Sequence, residues 1–277
     1  MRADAEGWFE IRISGAREKT SVIAALFAAG SQAVQEVGSD LVTWLAGERA
    51  AEGVRGAITK TDPHAIVAIV AAQPESWNEW RARVDAHRLG ALTVAPPWLA
   101  ENLDPAHAVV IDPAMAFGTG EHATTRGVIR LMQAIPLDGL TVADLGAGSA
   151  ILSIAAAKLG ARSVVAIEID SDAASNAANN IHTNGVGERV HFIEGDAATL
   201  LPLIAPVDLI LANILSSVLV NLLPVMGDSL AADGHAILSG ILREERAMML
   251  DAIDARGWQL LKEDTEDEWW SGLIARA

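Results

Sequence analysis

The chain has 277 residues, of which 51% are hydrophobic, but it contains no stretch of about 18 uncharged apolar residues, so we expect no transmembrane helix. The absence of cysteine excludes disulfides, thiolate catalysis and cysteine-ligated metal. Nearly all of the net charge of −16 lies after residue 100, where 10 Lys or Arg stand against 24 Asp or Glu, which makes bare nucleic acid a poor partner.

The N-terminus reads MRADAEGWFEIRI and has acidic residues where a signal peptide needs an apolar core. We therefore expect a cytoplasmic protein. The acidic second part of the chain would attract a basic partner, such as a lysine-rich protein. An acidic balance that only keeps the protein in solution is the alternative interpretation.

The first 72 residues predict a small α/β unit with the element order β-α-β-β-α-β, which is typical of a ferredoxin-like module. No cluster of titratable side chains occurs in residues 1–72, so we assign this unit to substrate recognition or structure rather than to chemistry. Its elements are predicted over residues 8–13, 19–29, 33–37, 41–45, 48–58 and 65–71.

Residues 73–100 are predicted to be a linker, made of a helix over 74–88 and a short extended connection. Trp77, Trp80 and Val84 follow one another at helical spacing, which indicates packing more than a direct contact with substrate. A second, larger domain is expected over residues 101–277.

The larger domain begins with an unusual loop over residues 109–126, which read VVIDPAMAFGTGEHATTR. Glycines on both sides of Thr119 suit a loop that folds closely over a ligand, with threonine hydroxyls as donors and Phe117 as an apolar lid. The loop is predicted to lead into a helix over 127–134.

Residues 142–159 form the central pattern of this domain and read VADLGAGSAILSIAAAKL. A short apolar strand ends at Asp144, Gly146 and Gly148 form a tight turn, and apolar residues at helical spacing follow. Glycines let the backbone approach a ligand, and the helix start presents unpaired N–H groups to it. A dinucleotide fingerprint needs a third glycine where Ile151 stands, so the pattern instead resembles the D-x-G-x-G of S-adenosylmethionine methyltransferases. A glycine turn in an unrelated α/β domain is the alternative.

The strand predicted over 163–170 ends in the acidic residues Glu168 and Asp170. A carboxylate at this place can accept hydrogen bonds from both hydroxyls of a ribose. Asp170 shares the strand face, but Glu168 lies nearer the strand body and is favoured. A solvated acid at a strand end is the alternative.

Two further polar residues follow strand ends. Asn213 comes after a strand over 207–211, at the edge where open parallel sheets have their active sites, and its amide can accept from an amine and orient it without titrating. Its alternative role is to cap the helix predicted over 216–223. Asp196 ends a third strand, where methyltransferases often have an acid near the adenine amino group, although an Asp after a Gly in a turn needs no function.

The remaining pattern completes a sheet. Alternating strands and helices predict an α/β class, doubly wound parallel sheet that is closed by an antiparallel hairpin. The seven histidines are scattered without metal-ligand spacing, so no metal site is expected. The last elements are predicted as strands over 234–239, 258–264 and 269–275 and a helix over 244–255.

The loop of residues 109–126 closely resembles the DPxxAFGTGxHxTT signature of the PrmA family, the methyltransferases of ribosomal protein L11. The resemblance covers the whole second domain and implies a seven-stranded, Rossmann-like class I methyltransferase with S-adenosylmethionine as its cofactor. Cofactor contacts implied by the family would fall on Thr125, Gly146, Glu168 and Asn213. The chain departs from the family pattern at four positions: Ala150 stands for a common glycine, Glu168 for the more usual aspartate, and Glu121 and Ala123 for other loop residues.

The resemblance also implies the reaction, which is transfer of methyl groups to the N-terminal amine and lysine amines of ribosomal protein L11. Asn213 would position the amine, and no residue is a convincing general base. The partner would be ribosomal protein L11 free before ribosome assembly, held by the first domain, without direct contact to nucleic acid or a membrane. The alternatives are methylation of another protein or small-molecule amine, and a module that only binds a nucleotide-like ligand.

Overall fold

A computed structural model describes residues 8–31, 34–71, 84–112 and 120–277 of the chain. The chain divides into two compact units, Met1–Val84 and Asp85–Ala277. Phe117 and Thr119 lie outside the described residues, as do Trp77 and Trp80. Within the described ranges, no helix has the length and apolar character that crossing a membrane requires.

The first unit contains a four-stranded antiparallel sheet with the order β2-β3-β1-β4 and two helices. Alternate residues of β1, Ile11 and Ile13, are fully buried and pack in one cluster with buried apolar residues of both helices. The elements are β1 (Trp8–Ser14), α1 (Lys19–Ala28), β2 (Gln35–Val37), β3 (Asp40–Ala46), α2 (Glu48–Thr61) and β4 (Ile66–Ala71).

The second unit begins with a small three-stranded sheet of β5 (His87–Leu89), β6 (Leu92–Ala95) and β7 (Ala108–Val110). The helix predicted over 74–88 therefore does not reach residue 88. Gly90 has φ +62° and opens a two-residue turn with Ala91, so His87–Leu89 turns back to pair with β6 as a hairpin.

The main sheet has seven strands in the order β10-β9-β8-β11-β12-β14-β13. Strands β8 to β12 are parallel, and β14 runs antiparallel to both of its neighbours, which confirms the predicted doubly wound sheet and closing hairpin. The strands are β8 (Thr141–Leu145), β9 (Ser163–Glu168), β10 (Val190–Glu194), β11 (Val207–Asn213), β12 (Leu230–Leu242), β13 (Trp258–Glu266) and β14 (Trp269–Arg276).

Helices cover both faces of this sheet. Along β8 the side chains alternate, so Val142 packs in one apolar cluster while Ala143 and Leu145 pack in the other. The helices are α3 (Ala123–Met132), α4 (Ile151–Lys158), α5 (Ser171–Thr183), α6 (Ala197–Ile204), α7 (Ser216–Ser229) and α8 (Arg246–Asp254).

The strand order reverses between β8 and β11. From β8 the chain winds outward through β9 and β10, and it then returns to place β11 on the other side of β8. In an open parallel sheet the crevice at such a reversal, outside the carboxyl ends of the strands, is where ligands bind. The segments that follow β8 and β11 therefore flank the expected binding crevice.

Candidate functional site

The turn after β8 is built on two glycines in the left-handed region, Gly146 with φ +71° and Gly148 with φ +51°. The N–H groups of Gly146 and Ala147 both donate to the carbonyl of Ile167 in β9, at 2.9 and 3.1 Å. A Cβ on Gly146 would overlap the Cγ2 atom of Ile214, which follows β11. The glycine turn is thus packed between the ends of β9 and β11.

Asp144 lies inside β8 just before this turn and is fully buried. Its Oδ2 accepts a hydrogen bond from the Ser153 hydroxyl at 2.6 Å, while its Oδ1 has no hydrogen-bond partner among the described residues. Burial raises the pKa of Asp144 to about 7, and the nearby negative charge of Glu168 acts in the same direction. The strand thus holds a carboxyl group that titrates near neutral pH.

Glu168 ends β9 and turns its carboxylate to the glycine turn. Its Oε2 accepts from the N–H of Gly148 at 2.9 Å, and its Oε1 accepts from the N–H groups of Ile169 and Asp170 at 2.8 and 3.0 Å. The Asp170 carboxylate instead caps α5 by accepting from the Asp172 N–H. Of the two acids that the sequence left open, Glu168 is therefore the one that faces the turn.

Thr125 and Asn213 meet at the other side of the crevice. Thr125 is fully buried in the first turn of α3, and its hydroxyl oxygen accepts from the Asn213 Nδ2 at 3.4 Å. The residue that caps α7 is Leu215, without a side-chain hydrogen bond. Asn213 does not cap that helix, which removes the alternative role considered from its sequence position.

Helix α3 begins at Ala123, four residues before the predicted start, because His122 acts as its N-terminal cap. The His122 Nδ1 lies 2.7 Å from the Thr124 hydroxyl and accepts from the Thr124 N–H at 3.4 Å. The ring is mostly buried and packs edge to face with Trp269, their centroids 4.8 Å apart. Burial and the positive charge of Arg126 lower the pKa of His122.

Two arginines of α3 bind carboxylates of β13. The Arg130 Nε donates to Asp264 Oδ2 at 2.8 Å, and an Arg130 terminal nitrogen donates to Glu266 at 2.7 Å. The Arg126 Nε donates to Glu266 Oε1 at 2.9 Å. Planar, charge-assisted pairs between arginine and carboxylate have a defined geometry as well as a favourable energy. These pairs therefore fix the orientation of helix α3, which carries Thr125, relative to β13. No sequence pattern indicates this network, since its partners are 134 to 140 residues apart.

Asp196 lies at the start of α6, where its Oδ2 accepts from the Thr199 N–H at 3.0 Å and the Thr199 hydroxyl at 2.8 Å. These hydrogen bonds, that of the hydroxyl first, lower the pKa of this exposed carboxylate. Helix capping therefore accounts for the residue, and its contact with an adenine stays a prediction.

The arrangement suits a ligand that carries hydroxyl and amine donors. An ionised carboxylate offers about four acceptor sites, and the three backbone bonds of Glu168 leave one of them for a ribose hydroxyl. The hydrogen bond from Asn213 to Thr125 holds the amide so that its oxygen can accept from an amine. The crevice thus has a carboxylate acceptor at one strand end and an amide oxygen at another.

Comparison with known proteins gives a consistent result. Residues 58–276 match the family model described as ribosomal protein L11 methyltransferase (PrmA). A ribosomal protein L11 methyltransferase of Synechococcus sp. (strain RCC307) is 38% identical over 212 residues, which cover 74% of this chain and 70% of the relative. One from Pelotomaculum thermopropionicum is 36% identical over 210 residues, covering 75% and 68%. The crystal structure of a ribosomal protein L11 methylase from Lactobacillus delbrueckii subsp. bulgaricus matches with a TM-score of 0.62 at 32% identity and covers 70% of this chain and 99% of that one.

Proposed function

The chain belongs to the PrmA family of ribosomal protein L11 methyltransferases, and we propose that it methylates the N-terminal amine and lysine amines of ribosomal protein L11. The methyl donor is S-adenosylmethionine. One observation carries the proposal: the glycine turn with Glu168 and the pair of Thr125 and Asn213 flank the same crevice, at the reversal of the strand order.

The residues around the turn are suited to hold the donor. We assign Gly146 and Gly148 to close backbone approach, Glu168 to the ribose, and Thr125 with Asn213 to the amino-acid end and the incoming amine. Bound there, S-adenosylmethionine supplies a methyl group on a sulfonium, already activated for transfer to an amine. Little other machinery is needed, because orientation alone lowers the barrier of such a reaction strongly.

The protein must also favour the neutral form of the substrate amine. A lysine amine has a reference pKa of about 10.4 and is mostly protonated at neutral pH. Partial desolvation in the crevice lowers that pKa, and water takes the proton. The amide oxygen of Asn213 then accepts from a remaining N–H and orients the nitrogen lone pair, without itself titrating.

The first unit and the charge distribution suggest how the substrate is held. The acidic part of the chain, with its excess of 14 negative charges after residue 100, suits a basic protein substrate. We propose that residues 1–72 bind ribosomal protein L11 in its free form, before assembly into the ribosome in the cytoplasm.

The proposal is tested by incubating the purified protein with tritiated S-adenosylmethionine and a lysate from cells that lack its gene, in which the substrate is unmethylated. The same lysate without the protein is the control. Label in one small basic protein, identified by intact mass as ribosomal protein L11, is the expected result. Label in small metabolites or in another protein would assign a different amine substrate. Binding of S-adenosylmethionine without transfer of its methyl group would indicate that the protein is a ligand-binding module without catalytic activity.

A further inference from the structure

Three asparagines stand at four-residue spacing along helix α5 and its C-terminal cap: Asn176, Asn180 and Asn184. Residues spaced in this way share one face of a helix. Asn176 is 8% exposed and Asn180 only 1%, and buried amides are costly unless each donor and acceptor is bonded. Asparagine is also a weak helix former, so three of them on one inner face need a reason other than helix propensity.

The third asparagine pairs with a strand end. Asn184 Oδ1 accepts from the Val110 N–H at 2.8 Å, and its Nδ2 donates to the Val110 carbonyl at 2.6 Å. Its Nδ2 also donates to the carbonyl of Asn180 at 2.8 Å. The side chain thus exchanges both hydrogen bonds with the last residue of β7, as a neighbouring strand would.

The middle asparagine connects two segments. Asn180 Oδ1 accepts from the Asp112 N–H at 3.1 Å, while its Nδ2 donates to the Ser149 carbonyl at 3.0 Å and to Asn176 Oδ1 at 3.1 Å. Ser149 lies in the glycine turn, between Gly148 and Ala150. One buried amide therefore binds the turn after β8 to the backbone that continues from β7.

We propose that Asn180 is a positioning residue that holds the glycine turn in the conformation that binds S-adenosylmethionine. The chain of contacts is short: Asn180 fixes the Ser149 carbonyl, and the preceding residue, Gly148, donates its N–H to the Glu168 carboxylate. Loss of the bond to the Ser149 carbonyl removes one of the contacts that fix the turn, next to the Gly148 N–H that orients Glu168. The inference rests on the use of S-adenosylmethionine and is independent of which amine is methylated.

The helix offers matched comparisons for a test. Asn184 belongs to the same row, but its side chain bonds to Val110 and to the Asn180 carbonyl, so it supports β7 through hydrogen bonds that do not involve the turn. Asn179 precedes Asn180 on the same helix and is exposed. Substitution by alanine at these three positions separates a role in the turn from a general role in the helix.

The experiment is calorimetric titration of the full chain and its variants with S-adenosylmethionine, with thermal unfolding measured in parallel. We expect Asn180→Ala to weaken binding about tenfold, since a buried acceptor and donor lose their partner. Asn184→Ala should lower the unfolding temperature but change the dissociation constant less than about twofold. Asn179→Ala should leave the dissociation constant unchanged and should not lower the unfolding temperature, since alanine is the better helix former. A change in the dissociation constant that occurs only in the Asn180 variant indicates a positioning role, because a residue with a purely structural role would change only the unfolding temperature.

Asn180→Ala that remains folded and binds with wild-type affinity would overturn the inference, as would equal weakening by Asn184→Ala. Asn180→Ser is the milder variant to use if the alanine variant does not fold, with the same expectation and the same refutation. A wild-type chain that takes up no S-adenosylmethionine would overturn the proposed function together with this inference. Weaker binding of S-adenosylmethionine by the Asn180 variants only, with normal binding by the wild type, would support this inference.

Discussion

Ile214 packs directly on Gly146, so the segment after β11 occupies the space that a Cβ in the glycine turn would need. This contact joins the two sides of the crevice at one point. Asn213 immediately precedes Ile214, and the Gly146 N–H is bonded to the end of β9. The position of Asn213 is therefore coupled to the shape of the glycine turn.

We expect Gly146→Ala to destabilise the protein more than Gly185→Ala. Both glycines are left-handed, with φ +71° and +64°, but a Cβ on Gly185 would meet nothing within 4 Å. A left-handed alanine costs about 1–2 kcal/mol, and forced displacement of a packed neighbour adds about 1–3 kcal/mol. Urea unfolding of the two variants separates backbone strain from the contact with Ile214. Equal losses of unfolding free energy in the two variants would show that Ile214 moves away from the added Cβ at little energetic cost.

The fold was largely predictable because its signals are local. The apolar run ending at Asp144, the two glycines and the helical spacing from Ile151 onward all lie within one short segment, and the sheet that they predict is confirmed. Helix α3 begins earlier than its sequence pattern predicts, because its cap is His122 and histidine is not a usual helix cap. The helix predicted over 74–88 does not include residues 87–89, because the turn at Gly90 pairs them with β6 as a strand.

The contacts that position the site were less predictable. Asn180 and Ser149 are 31 residues apart, and Arg130 and Asp264 are 134 apart, so no periodicity relates them. A weak signal was present in the four-residue spacing of asparagines in an alanine-rich helix. Thr125 and Asn213, which meet through a side-chain hydrogen bond, are 88 residues apart, and the cofactor roles of both residues stay predictions.

Asp144 should make the protein less stable as the pH rises. Its folded pKa is raised from 3.8 to about 7 by burial, so between these values the folded state binds more protons than the unfolded state. The unfolding free energy contributed by this group therefore falls with rising pH through that window. Relative to Asp144→Asn, the wild type should lose on the order of 2 kcal/mol between pH 5 and pH 8. Urea unfolding at both values measures the difference, and a constant offset between the two proteins would contradict the prediction.

His122 should have the opposite effect on the pH dependence of stability: its contribution to the unfolding free energy should fall as the pH falls. Burial first, and the charge of Arg126 next, lower its folded pKa below the ordinary histidine value of 6.5, so the unfolded state binds the extra proton more readily. Stability contributed by the neutral ring is present above pH 6.5 and is lost as the pH falls toward the folded pKa. His122→Asn keeps a good cap for α3 but does not titrate. We expect unfolding free energies of wild type and variant to diverge below pH 6.5, and parallel curves would show that the ring is not the titrating group.

Asn213→Ala should lower the turnover number about 10²-fold, because the amine loses the acceptor that orients it. The same change removes the hydrogen bond to the Thr125 hydroxyl, so a smaller weakening of S-adenosylmethionine binding is expected as well. Asn221→Ala provides the control, since this asparagine is exposed on the following helix, α7. Initial rates with ribosomal protein L11 as the methyl acceptor, combined with calorimetric titration of the donor, separate the two effects. Full methyl transfer by Asn213→Ala with unchanged donor affinity would exclude the amide from both binding and orientation.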